Sequence, residues 1–91
     1  MPTVHLVVHG KVQGVFFRAS AKNIADEIGI TGWVKNTEEG AVEIKATGSN
    51  DQLQKFIEWC KSGPRNAIVT HIEIENPEEE NFRSFDVIRR R

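Results

Sequence analysis

The stretch His9-Gly10-Lys11-Val12-Gln13-Gly14-Val15-Phe16-Phe17-Arg18 decides how this chain is read. It leaves a strand, turns between two glycines and enters a helix. Gly10 and Gly14 admit backbone angles that other residues resist. The helix starts without Ser, Thr, Asp or Asn at its cap, and it carries a cation, Arg18, in its first turn. Both features break local rules, because free N–H groups make a helix N-terminus positive. A bound anion would resolve both, with free N–H groups and one arginine forming a phosphate cradle. The plainer reading is a strand-to-helix turn with an incidental surface arginine. Spacing alone leaves the two open.

Upstream, Thr3–His9 alternates: Val4, Leu6 and Val8 point one way, His5, Val7 and His9 the other. Downstream, Phe17, Ala21, Ile24 and Ile28 recur at helical spacing, and Gly29 is a helix stop. Ile30–Lys35 reads as a second strand, containing Trp33. The run Asn36-Thr37-Glu38-Glu39-Gly40 has the composition of a hairpin loop, and Ala41–Thr47 is a third strand. Ser49 and Gln52 make a capping-box pattern for a second helix, with Leu53, Phe56, Ile57 and Cys60 as its apolar stripe and Gly63-Pro64 as its stop. A strand from about Ala67 to Glu75 follows, with Ile68, Thr70, Ile72 and Ile74 expected opposite Val69, His71, Glu73 and Glu75. Pro77 to Asn81 is an acidic loop, Phe82–Ile88 a short last strand, and Arg89-Arg90-Arg91 a solvated tail.

This order predicts an α+β fold of the ferredoxin-like, split βαβ kind: βαββαβ plus a short C-terminal strand. The expected sheet is antiparallel, with both helices on one face. The other face is expected to be open and to collect His5, Val7, His9, Glu43, Lys45 and Thr47. The last strand and the strand after the second helix are expected at the edges, protected by Glu73, Glu75, Arg83 and Asp86.

The chain has 91 residues, which supports one domain spanning residues 1–91. Its formal net charge is −1, which argues against a nucleic-acid or membrane-surface footprint. One cysteine, Cys60, permits no internal disulfide and suits a reducing compartment. The start Met1-Pro2-Thr3-Val4-His5 lacks the pattern of a signal peptide, and no stretch has the length of a membrane span. The expectation is a cytoplasmic protein, monomeric and free-standing.

Other chemistry-bearing residues have plain alternatives. His5 and His9 share a strand face, but no carboxylate or cysteine accompanies them on that strand, so an exposed face is favoured over a metal site. Cys60 fits an apolar stripe, where a free cysteine is structural. Glu38, Glu39 and Glu78-Glu79-Glu80 read as solvated loop charges. Asn36 opens a tight loop, where its side chain commonly bonds nearby backbone. In this fold its loop and the first strand-to-helix loop can lie near each other, which would let Asn36 overlook Arg18; spacing leaves the two readings of Asn36 open.

Two segments together carry a resemblance. Gly10 through Arg18, with its Val-Gln-Gly-Val-x-Phe-Arg core, resembles the signature loop of the acylphosphatases. Gly32-Trp33-Val34-Lys35-Asn36-Thr37-Glu38-Glu39-Gly40-Ala41-Val42-Glu43 resembles that family's second signature. The one departure is Glu39-Gly40, where Asp-Gly is frequent, at the loop tip. The resemblance implies hydrolysis of the carboxyl–phosphate bond of acyl phosphates, such as acetyl or carbamoyl phosphate, to a carboxylate and inorganic phosphate. It implies that Arg18 binds phosphate together with the backbone N–H groups of Gly14, Val15, Phe16 and Phe17, and that Asn36 positions the attacking water. It implies no cofactor and no metal, and a small-molecule acyl phosphate as partner. A carboxylate leaves readily, so positioning and charge stabilisation suffice for such a reaction.

Two alternatives compete. One is a non-catalytic binding module of the same fold. Single-stranded RNA binders of this order stack bases on aromatic residues of the first and third strands. Here those positions are His5, Val7, His9, Glu43, Lys45 and Thr47, so no nucleic acid is expected. The other is an acylphosphatase-like domain serving a larger enzyme.

Overall fold

The computed structural model describes residues 1–89; Arg90 and Arg91 of the expected tail lie outside the described residues. The elements are β1 (Thr3–Lys11), α1 (Phe17–Ile28), β2 (Thr31–Asn36), β3 (Val42–Thr47), α2 (Asn50–Ser62), β4 (Ile68–Glu75) and β5 (Phe85–Ile88). They form one sheet in the order β4-β1-β3-β2-β5. Val4, Leu6 and Val8 of β1, Val34 of β2 and Val42, Ile44 and Ala46 of β3 are buried in one cluster with Phe17, Ala21 and Ala25 of α1 and Leu53, Phe56 and Cys60 of α2. Both helices therefore cover one sheet face, as the alternating and helical periodicities require. Burying these side chains is the main stabilising term, at about 1.5–3 kcal/mol for each large apolar group. Among the described residues no helix is long and apolar enough to cross a membrane.

The caps follow the sequence. Ser49 accepts from the Gln52 backbone at 3.1 Å while Gln52 Oε1 accepts from the Ser49 backbone at 2.8 Å. Gly29 ends α1 by donating to Ala25 O at 2.8 Å.

Three expectations are corrected. The sheet is mixed rather than antiparallel throughout, because β5 pairs with β2 in parallel, Gly32 opposite Phe85. The β4 alternation breaks at Thr70. His9 pairs with His71, but Gly10 pairs with Val69, so Thr70 is an extra residue in the ladder. A bulge of this kind flips the faces on its far side. Val69 thus joins Ile72 against the core, and Ile68 is 62% exposed. Gly10 makes the bulge possible: a Cβ there would lie 2.0 Å from Ile68 O. Thirdly, Thr47 is not on an open surface. Thr3 and Thr47 are buried, their hydroxyls 2.7 Å apart, and Glu80 covers them through its backbone. Lys45 pairs with Glu80 at 2.8 Å, so part of the acidic loop is fastened over that end of the sheet.

Candidate active site

The loop from β1 to α1 is pinned by alternation. Val12, Val15 and Phe17 are buried, whereas Gly14 and Phe16 are exposed. Phe16 caps α1 in the left-handed region, φ 64°, with no side-chain cap bond, and α1 has no acidic residue in its first turn. Only a few per cent of non-glycine residues adopt such a φ, so the buried neighbours must hold it there. Gly14 has φ 74° as well, although a Cβ there would meet nothing. Its demand is on the backbone alone. The first helical N–H groups have no intrahelical acceptor. Among the described residues, no N–H from Gly14 to Ala19 finds a protein acceptor; the first loop bond is Ser20 N–H to Phe16 O at 3.0 Å.

Arg18 stands in that first turn. Its Nη1 donates to Ile88 O at 3.5 Å, and among the described residues it pairs with no carboxylate. Asn36, the last residue of β2, lines the same cavity as Arg18. The hairpin after Asn36 is closed by Thr37, not by Asn36. Ala41 N donates to Thr37 Oγ1 at 3.0 Å, and Thr37 N donates to Ala41 O at 2.9 Å. The Asn36 amide is therefore not spent on its own turn, which removes the plainer reading of that residue.

Gly14, Phe16, Arg18 and Asn36 line one cavity of about 290 Å3, together with Val12, Ala19, Val87 and Arg89. No carboxylate is among these, so the cavity is positively biased by Arg18, Arg89 and the N-terminus of α1. Val15 and Phe17 contribute backbone, since their side chains are buried in the core. A larger depression of about 380 Å3 lies elsewhere, lined by Pro2, Val4, Leu53, Ile57 and Ile74. Its Lys61 is paired with Glu58 at 2.8 Å, and it has no unpaired cation beside free N–H groups.

Two residues of this region are not evident from the sequence as site residues. Gln13 donates from Nε2 to Thr37 O and to Ala41 O, each at 2.8 Å. It fastens the Arg18 loop to the Asn36 loop. The signal was its place inside the glycine-bounded stretch, but its partners are distant in sequence. Arg89 was expected in the solvated tail. It is exposed, yet it lines the same cavity, because β5 runs beside β2 and ends there. The thiol of Cys60 is fully buried, and desolvation pushes its pKa far up, so it is no nucleophile.

Similarity decides the family. The acylphosphatase family profile matches residues 4–87. The chain belongs to the acylphosphatase family. Membership makes it an enzyme of the hydrolase class. It is 47% identical over 81 residues to an acylphosphatase of Legionella pneumophila, covering 89% of each chain. Its structure is similar to that of Bacillus subtilis acylphosphatase, with a TM-score of 0.93 and 37% identity, over 97% of this chain and 99% of that one. An acylphosphatase from Coxiella burnetii gives a TM-score of 0.92 and 41% identity, over 96% and 92% of the two chains. The ferredoxin-like arrangement of the acylphosphatases is thus the fold of this chain.

Removing Gln13 should loosen the candidate site without removing any residue that lines the cavity. Gln13→Ala is expected to cost about 0.5–1.5 kcal/mol of stability through the lost hydrogen bonds, because Thr37 O and Ala41 O each keep a backbone N–H donor. It should lower kcat more than it weakens phosphate binding. Urea unfolding and steady-state kinetics on the same preparation check both.

Proposed function

We propose that this chain hydrolyses the carboxyl–phosphate bond of acyl phosphates, with the phosphate held by Arg18 and the N–H groups of Gly14, Val15, Phe16 and Phe17. The observation that carries the reading is the single cavity shared by Arg18, Asn36 and an N-terminal turn whose N–H groups lack protein acceptors. The guanidinium fork and the N–H groups match the oxygens of a phosphoryl group and oppose its charge through the transition state.

Asn36 positions the attacking water from the other side of the cavity. Its amide is neutral and only donates or accepts hydrogen bonds, so it is not the base. The water's proton goes to a phosphate oxygen of the substrate. As the water's oxygen bonds phosphorus, the bond from phosphorus to the acyl oxygen breaks, leaving a carboxylate and inorganic phosphate. No general acid is needed, because a carboxylate is a good leaving group. Phe16, 81% exposed at the cavity rim, offers its ring to the acyl group. The mechanism needs no cofactor or metal, since Arg18 and the helix terminus supply the charge compensation. We place the enzyme in the cytoplasm as a monomer, in keeping with its one buried, unpaired cysteine.

The binding-module reading is disfavoured by the open face. Trp33 does lie on it, paired across strands with Lys45, but Lys35 Nζ sits 5.3 Å from its ring centre. Glu43, Glu73 and Glu75 share that face and would repel a nucleic-acid backbone.

Benzoyl phosphate is the direct test. The purified chain is expected to hydrolyse it, at the same rate with and without a strong chelator. Well-folded protein without hydrolysis would refute the function; activity lost to the chelator would refute the metal-independent mechanism.

A further inference from the structure

A second cluster lies on the open face, at the bulge between β1 and β4. His9 and His71 are cross-strand partners there. Their rings are parallel, 4.2 Å apart at an interplanar angle of 8°. Glu73, two residues along β4 and so on the same face, places Oε2 2.5 Å from His9 Nε2. One ligand atom from each of the three lies within 4.8 Å of the others. None of them lines the phosphate cavity.

The metal reading set aside for β1 lacked a carboxylate on its own strand. His71 reaches His9 only because of the strand order, and Glu73 supplies the carboxylate that β1 itself lacks. The bulge residue Thr70 has its Oγ1 3.3 Å from His71 Nδ1, and among the described residues His71 Nε2 has no hydrogen-bond partner. A neutral imidazole is the ligand that borderline transition metals take.

We propose that His9, His71 and Glu73 form a binding site for a borderline divalent cation of the zinc type, with water completing the coordination. Bonds of about 2.0–2.2 Å place tetrahedral ligand atoms roughly 3.3–3.5 Å apart. Closing from the observed spacing takes on the order of 1 Å of side-chain rotation by that geometry. His71 and Glu73 are exposed and free to make it, and the backbone need not move. Two imidazoles and one carboxylate select against magnesium and calcium, which prefer shells of oxygen. A bound ion would staple the edge strand β4 to β1 one residue before Gly10, where β1 leaves for the phosphate loop. It thus acts on stability, independently of the chemistry at Arg18.

The test is calorimetric titration of metal-free full-length protein with zinc chloride, paired with thermal unfolding. One ion per chain is expected, with a raised Tm. His71→Ala and Glu73→Gln should each weaken binding by at least about tenfold, since even groups that only orient a ligand cost that much. His5→Ala, whose ring is engaged with Glu43 at 2.7 Å, should leave binding unchanged. Magnesium chloride should give no saturable heat. His71→Asn serves if His71→Ala unfolds, because the bulge backbone is kept. Absence of saturable zinc binding by the wild type overturns the site, as does binding that survives both substitutions.

Discussion

Arg18→Ala is expected to lower kcat/KM for benzoyl phosphate by at least about 10³-fold, the effect of withdrawing an arginine that stabilises a phosphoryl transition state. Inhibition by inorganic phosphate should weaken in parallel, because the same guanidinium binds the ground state. The expectation rests on placement. Arg18 is in the first turn of α1, beside N–H groups with no protein acceptor, and it pairs with no carboxylate among the described residues. A cation there is unfavourable for the helix unless an anion joins it. Removing it should therefore leave stability unchanged or slightly raised, so a loss of activity cannot be assigned to unfolding. Arg18→Lys is the control for geometry. It keeps the charge but not the planar fork, and it should recover only part of the lost activity. Full activity in Arg18→Ala would remove the phosphate from this cavity.

Asn36→Ala is expected to separate binding from turnover. The amide is proposed to act on water rather than on phosphate. Inorganic phosphate should bind Asn36→Ala about as well as wild type, while kcat falls by about 10²–10³-fold, as for one lost transition-state donor. A purely structural asparagine would behave differently. It would lose stability and both kinetic constants together. That outcome is opposed by the hairpin itself, which is closed by Thr37 and Ala41 and needs nothing from Asn36. Unfolding free energy should change by no more than about 0.5 kcal/mol, the range for a side chain outside any network. A matched loss of phosphate affinity and kcat would assign Asn36 to the cradle instead.

The layer architecture was legible because it rests on periodicity. Val4, Leu6 and Val8 at every second position, and Phe17, Ala21 and the Leu53, Phe56, Cys60 set at helical spacing, force the two helices onto one face of the sheet. Local caps were legible for the same reason: Ser49 and Gln52 act over three residues. What escaped depends on partners far along the chain. Alternation in β4 assumes an unbroken ladder, and Thr70 interrupts it where Gly10 lets two backbones close together. The parallel seating of β5 beside β2 is a matter of topology, and it carries Arg89 to the cavity. Gln13 shows the same limit. Its residue type suggested nothing, and its two carbonyl partners lie 24 and 28 residues away. The two loops that face the cavity were each readable; their juxtaposition needed the fold.

Amide-resolved NMR during titration with inorganic phosphate distinguishes a phosphate cradle in this loop from binding anywhere else on the chain. Backbone N–H signals of Gly14, Val15, Phe16 and Phe17 should move together and saturate, along with the guanidinium of Arg18. Residues around the larger depression, such as Leu53 and Ile57, should stay still. Saturable shifts confined to another part of the chain, or none in this loop at phosphate concentrations that inhibit hydrolysis, would contradict the account.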